Sequence, residues 1–322
     1  PLSSGVNKRT YIDMFFHSYA TINDIFDPTS DKISELSNKY KCHLSKLSIE
    51  ETVEFIQDIC EYADTYKAAF VDIKRDKEYK YSNDIDRLLH ILRTAKITVF
   101  DSFVLKVLKE HQSNNTLDET GRKLFKQLET YVMRNYIVNS RTNSYNDVCK
   151  NLLKDESKSN EYLISEKISD DKIDEALSKM EKNEQAKLIL FWIELYRQDA
   201  DEHDKASFPY KFDLEHVMPQ KWEENWGIDV LPVCDNTGAI VEDKIKAANI
   251  RKAAVYDIGN MTLLTSKLNK ELQNLSFLDK VNGHGKYKGM KKNTFYSITT
   301  EITDKEEWNE KEIRIRGEKL KG

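Results

Sequence analysis

The chain has 322 residues, 39% of them hydrophobic and 33% charged, with ten Gly, five Pro and a formal net charge of −5. That length has room for two domains, no apolar run approaches the ~20 residues of a membrane span, and no secretory-signal pattern opens the chain. The acidic balance argues against a general nucleic-acid binder, and the scarcity of Gly and Pro among many Lys, Glu, Leu and Ile favours long helices. Cys42, Cys60, Cys149 and Cys234 are far apart and form no metal-type pair, so we expect a reduced, cytoplasmic protein with free, buried thiols. The first residue is Pro1, which reads as a fragment or a processed chain whose upstream module is missing.

In chain order, residues 8–200 read as a series of helices: Tyr11 to Phe26, Ile49 to Phe70, Ile85 to Lys109, Leu124 to Val138 and Lys187 to Tyr196. In the second, Val53, Ile56, Ile59 and Cys60 recur at helical spacing and predict one apolar stripe. Ser48 with Glu51 before it predicts a capping box. The third, rich in Leu and Val, predicts one long buried helix. Ser and Asn clusters at 113–115 and 157–160 punctuate the series. The texture changes after about residue 205. Phe208 to Pro219 predicts a short strand, then Trp222, Trp226, Gly227 and Pro232 mark a loop. Ala239 to Tyr256 predicts a helix, Ile258 to Thr265 a second strand, and Ser266 the cap of a helix through Leu268, Leu272 and Leu275. Asp304 to Leu320 predicts a charged amphipathic tail helix.

Two stretches carry chemistry: Asp213-Leu214-Glu215-His216-Val217-Met218-Pro219-Gln220, and Ile258-Gly259-Asn260-Met261-Thr262-Leu263-Leu264 followed by Asn269. Cutting a phosphodiester needs a base near neutral pKa to take a proton from water, for which His is the usual side chain. It also needs charge stabilisation at phosphorus, which a hard divalent cation on oxygen ligands supplies. A carboxylate beside a His, with amides on the following strand and helix, matches that demand. On an ideal strand Asp213 and Glu215 face one way and His216 the other, so Glu215 and His216 serve one site only if the strand ends or twists there. From Lys244 to Lys292 there are eleven Lys or Arg against Asp257, Glu271 and Asp279; this basic segment reads equally as a polyanion-binding face or as solvated helix faces.

These motifs, with Asn274, Phe277 and Lys280 after them, resemble the HNH nuclease half of the GmrSD-type modification-dependent restriction enzymes. The late Trp308, Ile313 and Arg316 are similar to that family's C-terminal helix. The resemblance implies a ββα-metal (HNH) finger embedded in helices, so the expected fold is mainly α: a helical connector domain over 1–205 and an HNH nuclease domain over 206–322. It implies His216 as the general base, Asn260 as the residue that orients its ring through a hydrogen bond, and Glu215 and Asn269 as ligands for Mg2+, with Mn2+ able to substitute. Asp213 is a further candidate for the metal or its support, since many HNH enzymes have Asp or His where this chain has Glu215. Lys280, Asn274 and His284 are candidates for phosphate contact. The implied partners are DNA, including modified phage DNA, an upstream NTP-binding module, and a second copy for double-strand cleavage, with a role in antiviral defence. Two other readings remain open: a non-catalytic nucleic-acid-binding or interaction module with a degenerate finger, and an RNA-directed nuclease. His17, His43, His90, His111 and His203 have no partner pattern and read as structural or surface residues. Trp222 and Trp226 are expected to pack the finger's loop, and Arg314 and Arg316 to pair with nearby Glu.

Overall fold

The fold is seen in a computed structural model that describes residues 3–4, 9–72, 77–140, 142–165, 168–200, 207–235, 237–292 and 296–321. His203, Pro1 and the expected 205/206 boundary lie outside them. The helices are α1 (Tyr11–Ile22), α2 (Leu36–Leu44), α3 (Ile49–Tyr66), α4 (Asp84–Thr94), α5 (Asp101–His111), α6 (Glu119–Ile137), α7 (Tyr145–Lys154), α8 (Ser159–Ser165), α9 (Asp170–Leu177), α10 (Asn183–Ala200), α11 (Lys244–Val255), α12 (Ser266–Leu272), α13 (Phe277–Asn282), α14 (Ser297–Thr303) and α15 (Glu310–Lys321). The strands are short: β1 (Ser3–Ser4), β2 (Arg9–Thr10), β3 (Glu78–Tyr79), β4 (Gln112–Ser113), β5 (Thr116–Leu117), β6 (Phe208–Pro209), β7 (Asp213–His216), β8 (Met261–Leu264), β9 (Gly283–His284) and β10 (Tyr287–Lys288). The protein is mainly α, as expected. It divides into two compact units, the second comprising 78–82, 136–138 and 168–322.

The first unit is helical, with β1 paired to β2 and β4 to β5. Phe15, Tyr19, Leu88, Phe103, Leu105 and Phe125 are buried in it. Ser48 caps α3 with the expected box: its side chain accepts from Glu51 N–H, and Glu51 accepts from Ser48 N–H. The expected stripe on α3 is corrected, because Val53 and Ile56 are half exposed and Cys60 is exposed, while Tyr62 and Tyr66 supply the buried face. Aromatic burial there outweighs the aliphatic periodicity. The helix expected over 85–109 is two helices. Lys96 sits in the left-handed region at φ 58°, Ile97 N–H donates to Leu92 O at 2.8 Å and Lys96 N–H to Arg93 O at 3.1 Å. This pair of bonds closes the end of α4 in a Schellman motif without the glycine that normally announces one. All four cysteines are free, but only Cys149 is buried; Cys42 and Cys60 are exposed.

In the second unit β7 and β8 form an antiparallel ribbon in the register Asp213↔Leu264, Leu214↔Leu263, Glu215↔Thr262 and His216↔Met261. The strand expected over 208–219 is two pieces, since β6 leaves to pair with β3. Two strands cannot enclose a core, so helices do. Val217, Met218, Trp226, Leu268, Phe277 and Trp308 are among the buried side chains packed around the ribbon. Glu194 on α10, fully buried, accepts from Ser297 N–H (2.8 Å) and Ile298 N–H (2.9 Å) and so caps α14 from outside its own sequence. Thr265, not Ser266, caps α12, accepting from Leu268 N–H, and that helix ends at Leu272. The expected tail helix begins only at Glu310.

The turn Ile258–Asn260 packs directly on α15. A Cβ at Gly259 would lie 2.0 Å from Ile313 O and 2.7 Å from Gly317 N, and one at Gly317 would lie 2.7 Å from Asp257 Oδ1. Arg316 reaches over the same turn, donating to Gly259 O, Met261 O and Ile298 O and pairing with Glu301 at 2.7 Å. Gly259→Ala therefore forces backbone from backbone. We expect a cost of about 3 kcal/mol, read as a fall of roughly 10 °C in Tm; an unchanged Tm contradicts this packing.

Candidate nuclease site

Asn260 is the polar centre of the ribbon and is fully buried. Its Nδ2 donates to Met218 O at 2.8 Å and Val255 O at 3.1 Å, and its Oδ1 accepts from Met218 N–H at 2.8 Å and Trp308 Nε1–H at 3.0 Å. All of the amide's hydrogen-bonding capacity is thus used inside the fold. Asn260 O also accepts from Val217 N–H at 2.9 Å, which carries the β7–β8 pairing one step past His216.

The His216 ring is buried and held by Val255 O, which lies 3.0 Å from Nδ1. A carbonyl only accepts, so Nδ1 carries the proton and Nε2 carries the lone pair. At Nε2, Gln220 Nε2–H lies at 3.4 Å, able to donate to the lone pair, and Asn183 presents its Oδ1, an acceptor, at 3.3 Å. Here one expectation is corrected. Asn260 does not bond the ring; it shares the Val255 carbonyl with it and positions that carbonyl. Burial pushes the imidazole below its ordinary range, the Val255 bond opposes that, and the Lys280 charge adds to it.

Glu215 alternates with His216 along β7, so the two serve one site only around the end of the strand, which falls at His216. Glu215 is buried and ion-paired with Lys280 Nζ, which is itself fully buried and also donates to His216 O at 3.1 Å. Burial pushes the Glu215 carboxyl up and the Lys280 ammonium down, and each partner's charge works against that. Lys280 is therefore an internal cation and no surface phosphate contact. Arg251 is likewise withdrawn from the basic segment, buried against Glu310 at 2.7 Å. The Asn269 amide reaches the free edge of β7, with Nδ2 3.3 Å from Leu214 O. Its Oδ1 and the half-buried Asp213 carboxylate have no hydrogen-bond or ion-pair partner among the described residues.

The donor chemistry around β7 suits a hard divalent cation: carboxylates of Asp213 and Glu215 on one strand face, with an amide oxygen at the same edge. A cation on Glu215 shares that carboxylate with Lys280. Among the described residues, the group of His and carboxylates at ligand spacing, Glu110, His111 and Glu156, lies in the first unit. It is knit by His111–Glu156 (2.9 Å) and His111–Asp118 (3.0 Å), with Lys106 3.4 Å from Glu110, and reads as an ion-pair network. Asn274 accepts only through its main-chain oxygen, from Asn225 (2.8 Å), and exposed His284 lies 3.2 Å from Asp279; neither joins Glu215 or His216. Trp226 packs the loop as expected, its Nε1–H donating to Leu275 O at 3.0 Å.

Asn183 is the site residue that sequence reasoning missed. It opens α10, 33 positions before His216, and no motif marks it. Gln220, Val255 and Trp308 lie in or beside the quoted stretches, but their roles depend on the tertiary bonds. Residues 165–322 match the family model described as GmrSD restriction endonucleases, C-terminal domain. No curated protein and no solved structure matches the chain.

The neutral ring has a pH signature. A His whose folded value is lowered contributes stability above its unfolded value of about 6.5, and that stability is lost as pH falls below it. In an NMR titration the His216 ring should titrate below 6.5, and His216→Gln should flatten the acid limb of the stability curve. A midpoint at or above 6.5 contradicts the neutral, buried assignment.

Proposed function

We propose, from the match of residues 165–322 to the GmrSD restriction endonuclease C-terminal domain, that the chain is an HNH-type, metal-dependent DNA endonuclease in which His216 is the general base. One observation carries this reading: Nδ1 of His216 is tied to the Val255 carbonyl that Asn260 fixes, which leaves the lone pair on Nε2, the nitrogen faced by Gln220 Nε2–H and Asn183 Oδ1. A base needs that state, neutral at working pH with its acceptor nitrogen fixed in direction. Asn183 and Gln220 are placed to hold the water whose proton Nε2 takes.

Asp213, Glu215 and Asn269 are the residues that would hold Mg2+, with Mn2+ a substitute. When bound there, the cation supplies charge stabilisation at the phosphate and at the leaving oxygen. Lys280 keeps the Glu215 carboxylate and the His216 main chain in one place. Asn260 acts through Val255 and is a positioning residue. We extend the reading to restriction of modified phage DNA under control of an upstream NTP-binding module, with dimers making double-strand breaks.

A second reading, a finger kept for architecture alone, is favoured by one observation: Glu215 already has a buried cationic partner. Nicking of supercoiled plasmid in Mg2+ or Mn2+, with EDTA as control, separates the two. We expect metal-dependent nicking, reduced at least about 100-fold in His216→Ala and strongly in Asn269→Ala. Nicking by His216→Ala at the parent rate overturns the assignment of the base, and no nicking by the parent in either metal favours the architectural reading.

A further inference from the structure

A groove of about 350 Å³ lies between α12 and the β9–β10 hairpin. Lys267 on α12, Lys286 and Lys288 on the hairpin, and Lys292 on the turn that follows all line it, with Glu271 as its acidic residue. The four lysines are exposed, and none has a carboxylate partner among the described residues. Elsewhere in the same unit Lys244, Lys305 and Lys321 each sit on a neighbouring Asp or Glu. Four ammonium groups gathered from three elements around the single carboxylate of Glu271 repel one another, and an extended polyanion relieves that repulsion.

The hairpin that carries two of them is held tightly. A Cβ at Gly283, where φ is 99°, would lie 2.4 Å from Tyr287 O, and one at Gly289 would lie 2.2 Å from Val281 O. The hairpin is thereby locked to α13, the helix whose Lys280 holds Glu215. The other wall is α12, which carries Lys267 and also Asn269, whose amide touches the free edge of β7. The lining itself does not include β7; α12, which gives Lys267 to the groove, is the element that touches that strand.

We infer that this groove is the track for the sugar–phosphate backbone of duplex DNA beside the β7 site, with which it shares α12, an inference that rests on the nuclease reading for what it delivers. Of the eleven basic residues between Lys244 and Lys292, it assigns phosphate binding to Lys267, Lys286, Lys288 and Lys292 and removes Arg251 and Lys280.

Anisotropy with a short labelled duplex in EDTA, across a salt series, tests it without cleavage. For K286Q/K288Q/K292Q the slope of log K against log salt should fall by about 2 to 3, roughly 0.9 for each phosphate no longer neutralised, with affinity down at least about 10-fold. The exposed pair K46Q/K123Q in the first unit should bind as the parent does. The parent's slope and affinity in the triple variant overturn the proposal, as does a parent that prefers RNA or binds no duplex. His216→Ala separates the two claims. If it binds DNA normally and nothing nicks, the nuclease reading fails while the groove stands; if the parent nicks and the triple variant binds normally, the groove fails alone.

Discussion

The second unit depends on one side-chain amide. Asn260 uses both its donors and its acceptor to tie the main chain after β7, the last carbonyl of α11 and the indole of Trp308 to one point. With two short strands the ribbon makes too few ladder bonds to fix its own exit, so this buried node does it. Each of those partners, left unpaired in the interior, would cost about 1–3 kcal/mol. The same node sets the site, because the Val255 carbonyl that receives Asn260 also receives His216. The direction of the imidazole and the path of the chain after it are therefore one structural fact.

Buried charge does the rest of the work that a larger sheet would do elsewhere. Lys280 with Glu215, Arg251 with Glu310, and Arg316 with Glu301 each also bind main-chain carbonyls, at the end of β7, in the loop at Leu231 and in the turn at Gly259. Such pairs add little net stability over apolar packing, but losing one partner is expensive, about 3–5 kcal/mol. They specify where irregular segments lie. This explains how a segment rich in Lys and Arg supplies both interior ties of the second unit and, from its remaining lysines, a solvent-facing basic wall.

Much of this arrangement was legible in the sequence. The Glu-His-x-x-Pro-Gln and Gly-Asn stretches predicted two strands and a helix in their right order, and Gly259 is required because α15 approaches within a Cβ radius of it. What was not legible depends on distant partners. Lys280 and a surface lysine look alike until Glu215 is seen beside it. Asn183 faces His216 only because α10 packs on the ribbon. The break between α4 and α5 was hidden because Lys96 adopts the left-handed cap conformation that glycine usually marks. The stripe of Val53 and Ile56 obeyed helical periodicity and still faced outward, because the aromatic residues of α3 won the interior.

The central claim is that the fixed, neutral His216 ring takes the proton in phosphodiester cleavage. The most direct measurement is the single-turnover cleavage rate of duplex DNA against pH, for the parent and for His216→Ala, at saturating divalent metal. The account predicts a parent rate that rises with pH and levels off, with its midpoint below 6.5, and a variant in which that limb is gone and the plateau is at least about 100-fold lower. A variant that keeps the parent's limb and plateau would contradict it.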